Sequence, residues 1–90
     1  MKDNNKKMTL FYRKLNNNEI ESACEGVQSL EFFTRFNKEE RELLFGMIVM
    51  DYNALIFDHY EWFNAVEENG EMKLKLKEEY KQKFDMSQYF

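Results

Sequence analysis

The sequence predicts an all-α fold, a small bundle of four helices with a long central third helix, forming a single helical domain over residues 1–90. Apolar side chains recur at helical spacing near the N-terminus and again from Leu44 to Val66. Asn16, Asn17 and Asn18, then Asn37, then Gly70 punctuate the chain into four stretches. The stretch that alternates like a strand, residues 72–77, has no visible strand partner, and a lone strand is not stable.

Met8, Phe11, Tyr12 and Leu15 stand at i, i+3, i+4 and i+7, which predicts a first helix over about residues 4–15, with residues 1–6 as a flexible end. The three asparagines supply a turn, and the Asn18 side chain is placed to cap the next helix. Ile20, Ala23, Cys24, Val27, Leu30 and Thr34 then share one face of a second helix from Glu19 to about Phe33, with Glu21, Glu25 and Gln28 around the other side. Gly26 weakens it by roughly 1 kcal/mol relative to alanine. Phe32, Phe33 and Phe36 straddle its end, where their rings would close the bundle.

Asn37 with Glu40 three residues later reads as a capping box, and Glu39 and Glu40 complement the dipole of a helix beginning at Lys38. Gly70 is the stop, because glycine enters the left-handed conformation without steric cost. The predicted third helix therefore runs from Lys38 to about Glu68, with Leu44, Phe45, Ile48, Tyr52, Leu55, Ile56, His59, Phe63 and Val66 on its core face. The last segment reads as a helix from about Glu71 to Met86, on the recurrence of Leu76, Tyr80 and Phe84.

On this wheel Met47, Met50, Ala54 and Phe57 fall on a second apolar side with Gly46 beside them, and Asp51, Asp58 and Glu61 lie between the two faces. Either the helix packs on both sides within its own chain, or the second face meets another molecule. Methionines adapt to irregular partners, and contiguous apolar surface marks interaction sites. The predicted protein-binding surface is therefore Gly46, Met47, Met50, Asp51, Ala54, Phe57, Asp58 and Glu61.

The chemistry-bearing residues point to no reaction. Asp58, His59 and Glu61 are too closely spaced to converge on a metal, since adjacent helical residues point about 100° apart. His59 is expected among the core residues Leu55, Ile56 and Phe63, and Cys24 as a buried inert thiol. Gly26, Gly46 and Gly70 are isolated and build no phosphate-binding loop. No catalytic residue, metal site or cofactor is expected.

Charge is strongly patterned. Residues 1–18 sum to +4, residues 19–71 to −10 and residues 72–90 to +2, within a net charge of −4. Basic ends folding back over an acidic middle would neutralise much of this; an exposed acidic face could instead imitate a nucleic-acid backbone. Direct nucleic-acid binding through Lys73, Lys75, Lys77, Lys81 and Lys83 is disfavoured by Glu78 and Glu79 and by the net charge.

A chain of 90 residues buries only roughly 60–65% of its unfolded surface, so partners matter to its stability. One cysteine and no visible export signal suggest the reducing cytoplasm. The longest apolar run, LLFGMIVM, falls short of the roughly 20 residues that span a bilayer. The residue bias toward Asn, Lys, Glu, Phe and Tyr without proline is common in phages and AT-rich bacteria. The expected role is a small non-catalytic protein-binding module, a regulator or inhibitor of a larger protein machine. The alternatives are an acidic nucleic-acid mimic and a structural subunit of a homo-oligomer, with a homodimer as one form of partnership.

Overall fold

Met8, Thr9, Leu10, Phe11 and Tyr12 are five consecutive residues, and all are buried. A strand in the middle of a sheet with both faces covered produces that pattern, and it reads as an apolar run rather than an alternation. The computed structural model describes residues 6–81, and it replaces the expected helical bundle with a mostly β fold, a five-stranded antiparallel sheet nearly closed into a barrel with three short helices. The strands are β1 (Lys7–Arg13), β2 (Glu19–Glu25), β3 (Phe45–Asp51), β4 (Phe63–Glu68) and β5 (Glu71–Leu76), in the spatial order β3-β1-β2-β4-β5. The helices are α1 (Lys38–Leu44), α2 (Ala54–Asp58) and α3 (Glu78–Lys81).

The predicted first helix is β1. Asn17 and Asn18 follow it at φ 57° and 55°, a left-handed pair that folds β2 back onto β1 instead of capping a helix. The predicted second helix is β2 followed by a single 3-10 turn, Leu30–Phe32. Gly26 sits between them at φ +80°, a conformation that glycine adopts freely. Its N–H donates to the Lys7 carbonyl and its carbonyl accepts from the Thr9 hydroxyl, both at 2.8 Å, so the chain leaves the sheet at a hydrogen-bonded corner.

The predicted long helix is five elements. Its start is right: Asn37 Oδ1 accepts from the Glu40 N–H at 2.8 Å and Glu40 Oε1 accepts from the Asn37 N–H at 2.9 Å. The helix those residues open, α1, lasts seven residues and passes directly into β3 at Phe45. After β3 come α2, a 3-10 turn at Tyr60–Trp62, and β4. Gly70 is at φ +82°, but with Asn69 at φ 53° it makes the two-residue turn of the β4–β5 hairpin, the favoured role of Asn-Gly. The alternation at residues 72–77 is therefore a strand signal. Its partner, β4, lay concealed inside the expected helix. The expected continuation of a fourth helix to Met86 falls outside the described residues beyond Lys81, as do residues 1–5 of the expected flexible end. Lys6 itself is tied in, its carbonyl accepting from Tyr52.

Two apolar layers flank β1. Inside the curved sheet, Met8, Leu10 and Tyr12 pack with Ile20, Phe63, Ala65 and the α2 residue Ile56. Outside, Phe11 stacks on Phe32 at 5.1 Å and Phe33 stacks on Phe45 at 4.0 Å, so the segment between β2 and β3 roofs the sheet with aromatic rings. Burying one such ring stabilises the fold by roughly 1.5–3 kcal/mol.

The sheet has a weak seam. β2 meets β4 through the pair Glu19–Asn64 alone. The Ala65 N–H donates to the Asn18 carbonyl, the Asn64 side chain donates to the Asn17 carbonyl, and Lys77 Nζ pairs with Glu19 Oε2, each at 2.8 Å. Among the described residues, no helix is long and apolar enough to cross a membrane.

Candidate protein-binding edge

A strand's amides alternate in direction along its length, so the register decides which of them are satisfied. The Tyr52 N–H donates to the Lys6 carbonyl at 3.0 Å, and the Lys14 N–H donates to the Leu44 carbonyl at 2.9 Å. With the β1–β3 register, these bonds make Gly46, Ile48 and Met50 the residues whose amides face β1. Met47, Val49 and Asp51 consequently turn their N–H and C=O groups to the opposite side, where β3 has no neighbouring strand among the described residues. The Phe45 N–H is used by the Arg41 carbonyl at the end of α1.

The side chains at this edge are apolar. Met47 and Val49 project from the convex face and are 38% and 40% exposed. Their partners across the ladder are Phe11 and Thr9. Phe32, stacked on Phe11 and 49% exposed, continues the apolar surface. At one end Asp51 pairs with Lys7 at 2.6 Å; at the other, Phe45 stands beside Arg13.

The other edge of the sheet is built differently. The Lys77 N–H donates to the Trp62 carbonyl, so Met72, Leu74 and Leu76 direct their amides outward while Lys73, Lys75 and Lys77 face β4. Lysines at every second position are a device that keeps an exposed strand from pairing with another chain. Nothing similar guards FGMIVM, which carries no charge from Phe45 to Met50.

The helical face that grouped the predicted binding residues does not exist, and the structure distributes them. Gly46, Met47, Met50 and Asp51 lie on β3. Gly46 is pressed against the Tyr12 ring so closely that a Cβ there would collide with it. Met47 is on the convex face, whereas Met50 turns inward and packs on the core. Ala54, Phe57 and Asp58 belong to α2: Phe57 packs on the core and against Tyr52, while Ala54 and Asp58 are exposed. Glu61 is exposed in the 3-10 turn. Val49 and Phe32 are not among the expected binding residues; the uninterrupted apolar run ending at Asp51 signals a strand apolar on both faces, but not its place at the edge.

The basic ends lie against the acidic middle: Lys6 pairs with Glu25 at 4.0 Å, Arg13 with Glu21 at 3.3 Å and Lys77 with Glu19 at 2.8 Å. The exposed pairs among these contribute up to about 1 kcal/mol each. His59, expected in the core, is half-buried and stacks on Trp62 at 4.1 Å. Cys24, expected as a buried thiol, is half-buried, and burial raises its pKa above the ordinary value. Among the described residues, no group of three His, Cys, Asp or Glu side chains converges as a metal site would require. An open cleft of about 470 Å³ lies over the seam, lined by residues including Asn17, Asn64, Lys75, Lys77 and Glu78. Its charges are mixed, and no serine, threonine, cysteine or histidine lines it. Compared with family models, curated proteins and solved structures, the chain finds no match.

Proposed function

We propose that the chain is a small non-catalytic protein-binding module that works by strand addition at the free edge of β3, as a regulator or inhibitor of a larger protein. The observation that carries this reading is the pair of outward-facing amides at Met47 and Val49, on a strand with exposed apolar side chains and no guarding charge. An added strand satisfies those groups, and main-chain bonds of this kind supply affinity while alternate side chains supply specificity. The single cysteine is consistent with a reducing, cytoplasmic setting.

Val49→Pro tests it. The Val49 N–H faces the open edge, so proline there removes no bond of the β1–β3 ladder and is tolerated as proline is on edge strands. Affinity capture with wild type and Val49→Pro side by side should recover a partner with wild type alone, while circular dichroism shows the same fold for both. Equal recovery with both chains would remove this edge from the binding function.

A further inference from the structure

We infer that, when no larger partner is bound, the strand received by this edge is β3 of a second copy, antiparallel and centred on Ile48; this rests on the reading of β3 as a strand-addition edge and names its resting occupant. Outward amides belong to Met47, Val49 and Asp51. A twofold antiparallel pairing joins odd-numbered residues to odd-numbered residues, which several registers permit. Centring on Ile48 engages the whole of Phe45–Asp51, whereas centring on Met47 or Val49 leaves part of the strand overhanging.

In the Ile48 register, Met47 faces Val49 of the second copy in a hydrogen-bonded pair, and the reverse pair repeats it. Apolar therefore meets apolar along the convex face. Gly46 lies opposite Met50 of the second copy and has no side chain to obstruct it. The Phe45 carbonyl, whose own N–H is occupied by Arg41, is placed to accept from the Asp51 N–H of the second copy.

The ends are complementary in charge. Asp51 falls across from Phe45 of the second copy, and Phe45 is flanked on β1 by Arg13 on the same face; the exposed pairs that Asp51 makes with Lys7 and Arg13 with Glu21 within each chain would be shared with this contact. Neighbouring strands are roughly 4.8 Å apart, so carboxylate and guanidinium stand about two strand spacings apart at their Cα atoms, within reach of their side chains. The twofold axis makes this contact at both ends. A foreign strand would have to match the same apolar centre and acidic end by coincidence; β3 matches it by symmetry.

Sedimentation equilibrium of the full chain over a range of concentrations reads the mass. The expected result is a shift from 11.1 kDa to twice that value as concentration rises. Val49→Lys, which places a lysine on the exposed edge, and Val49→Pro should both stay at the single-chain mass with unchanged circular dichroism. Register is read by disulfide trapping in a Cys24→Ser background. Ile48→Cys should cross-link to itself, because directly opposed residues of a non-hydrogen-bonded pair have Cα atoms about 4.5 Å apart, within disulfide range. Val49→Cys should not, since its counterpart is displaced by two residues.

A single-chain mass at every concentration, with a foreign partner still lost in Val49→Pro, overturns self-pairing and keeps strand addition. A dimer indifferent to both Val49 variants overturns self-pairing at this edge, and equal capture of a foreign partner by wild type and Val49→Pro overturns strand addition with it. A dimer sensitive to them but cross-linked through Val49→Cys and not Ile48→Cys overturns the register.

Discussion

The two edges of this sheet are made from strands of similar length and opposite character. β5 reads EMKLKL, with Met72, Leu74 and Leu76 turned to the core and a lysine after each apolar residue. β3 reads FGMIVMD, with both faces apolar and its first charge at the last residue. Among the described residues, the same polypeptide thus protects one exposed edge against pairing and leaves the other without such charges. Since a free edge is a template for another chain, this difference separates a guarded boundary from the edge proposed to bind.

The β3 edge depends on support from behind. Phe11, fully buried on the adjacent strand, carries the aromatic roof through Phe32 and Phe33. Phe11→Ala should lower unfolding free energy by about 3–5 kcal/mol, the usual cost of deleting a buried ring. Leu74→Ala, at a half-buried position on β5, should cost at most about 2 kcal/mol, the low end of the range for buried leucines. Urea denaturation followed by Trp62 fluorescence measures both. Equal losses would mean that the two edges are supported alike.

Gly46 gives the next largest effect. An added methyl meets the Tyr12 ring, which core packing holds in place, so Gly46→Ala should destabilise by about 1–3 kcal/mol through overpacking. The corresponding change at Gly70 meets no atom within 4 Å and carries only the strain of φ +82°. A mild Gly46→Ala would show that β3 can move away from β1, and that its edge is softer than the register implies.

Removing the lysines should convert one edge into the other. Lys73 and Lys75 are exposed, with Lys73 in a loose 3.9 Å pair with Glu68, so a Lys73→Val, Lys75→Val double variant should change stability by no more than about 0.5 kcal/mol per site. Its association should nonetheless rise steeply with concentration, which light scattering would detect. A double variant that stays as soluble as wild type would show that alternating lysines are not what guards β5.

Much of this was readable in the residues, though under the wrong period. Asn37 and Glu40 mark a real helix start, and Asn16 to Asn18 mark a real turn. What misled is that β1 is buried on both faces, so Met8, Phe11 and Tyr12 match a helical repeat as well as a strand. Asn69-Gly70 is a hairpin signal as strong as it is a helix stop, and reading it as a hairpin would have supplied β5 with its partner. Of the predicted site, Met47 and Asp51 fall on the proposed edge because they belong to the apolar run and its end and turn their amides away from β1. Gly46 and Met50 direct theirs at β1 and Phe57 belongs to α2, because a helical wheel sums turns that a strand resolves into opposite faces. The edge itself could not be seen without strand order, which local patterning does not encode.

The smallest expected effect probes the place where the two halves of the sheet meet. Tyr12 is buried under β3 beside Gly46, and Glu67 of β4 adds its charge nearby. Burial first, and the Glu67 carboxylate second, raise the Tyr12 phenol above its ordinary value of 10.0. Above that value the unfolded chain releases the proton while the folded chain keeps it. The native state then binds more protons than the unfolded state, so stability falls as pH rises. The contribution is complete below pH 10 and is lost as pH climbs through the raised native value. Tyr12→Phe should flatten this alkaline limb relative to wild type, and Glu67→Gln should flatten it less, because desolvation is the larger cause. Denaturation midpoints for the three chains on either side of pH 10 measure the difference. If Glu67→Gln matched Tyr12→Phe, the charge from the lysine-guarded half would outweigh burial beneath β3, and the two halves would be coupled electrostatically more than by packing.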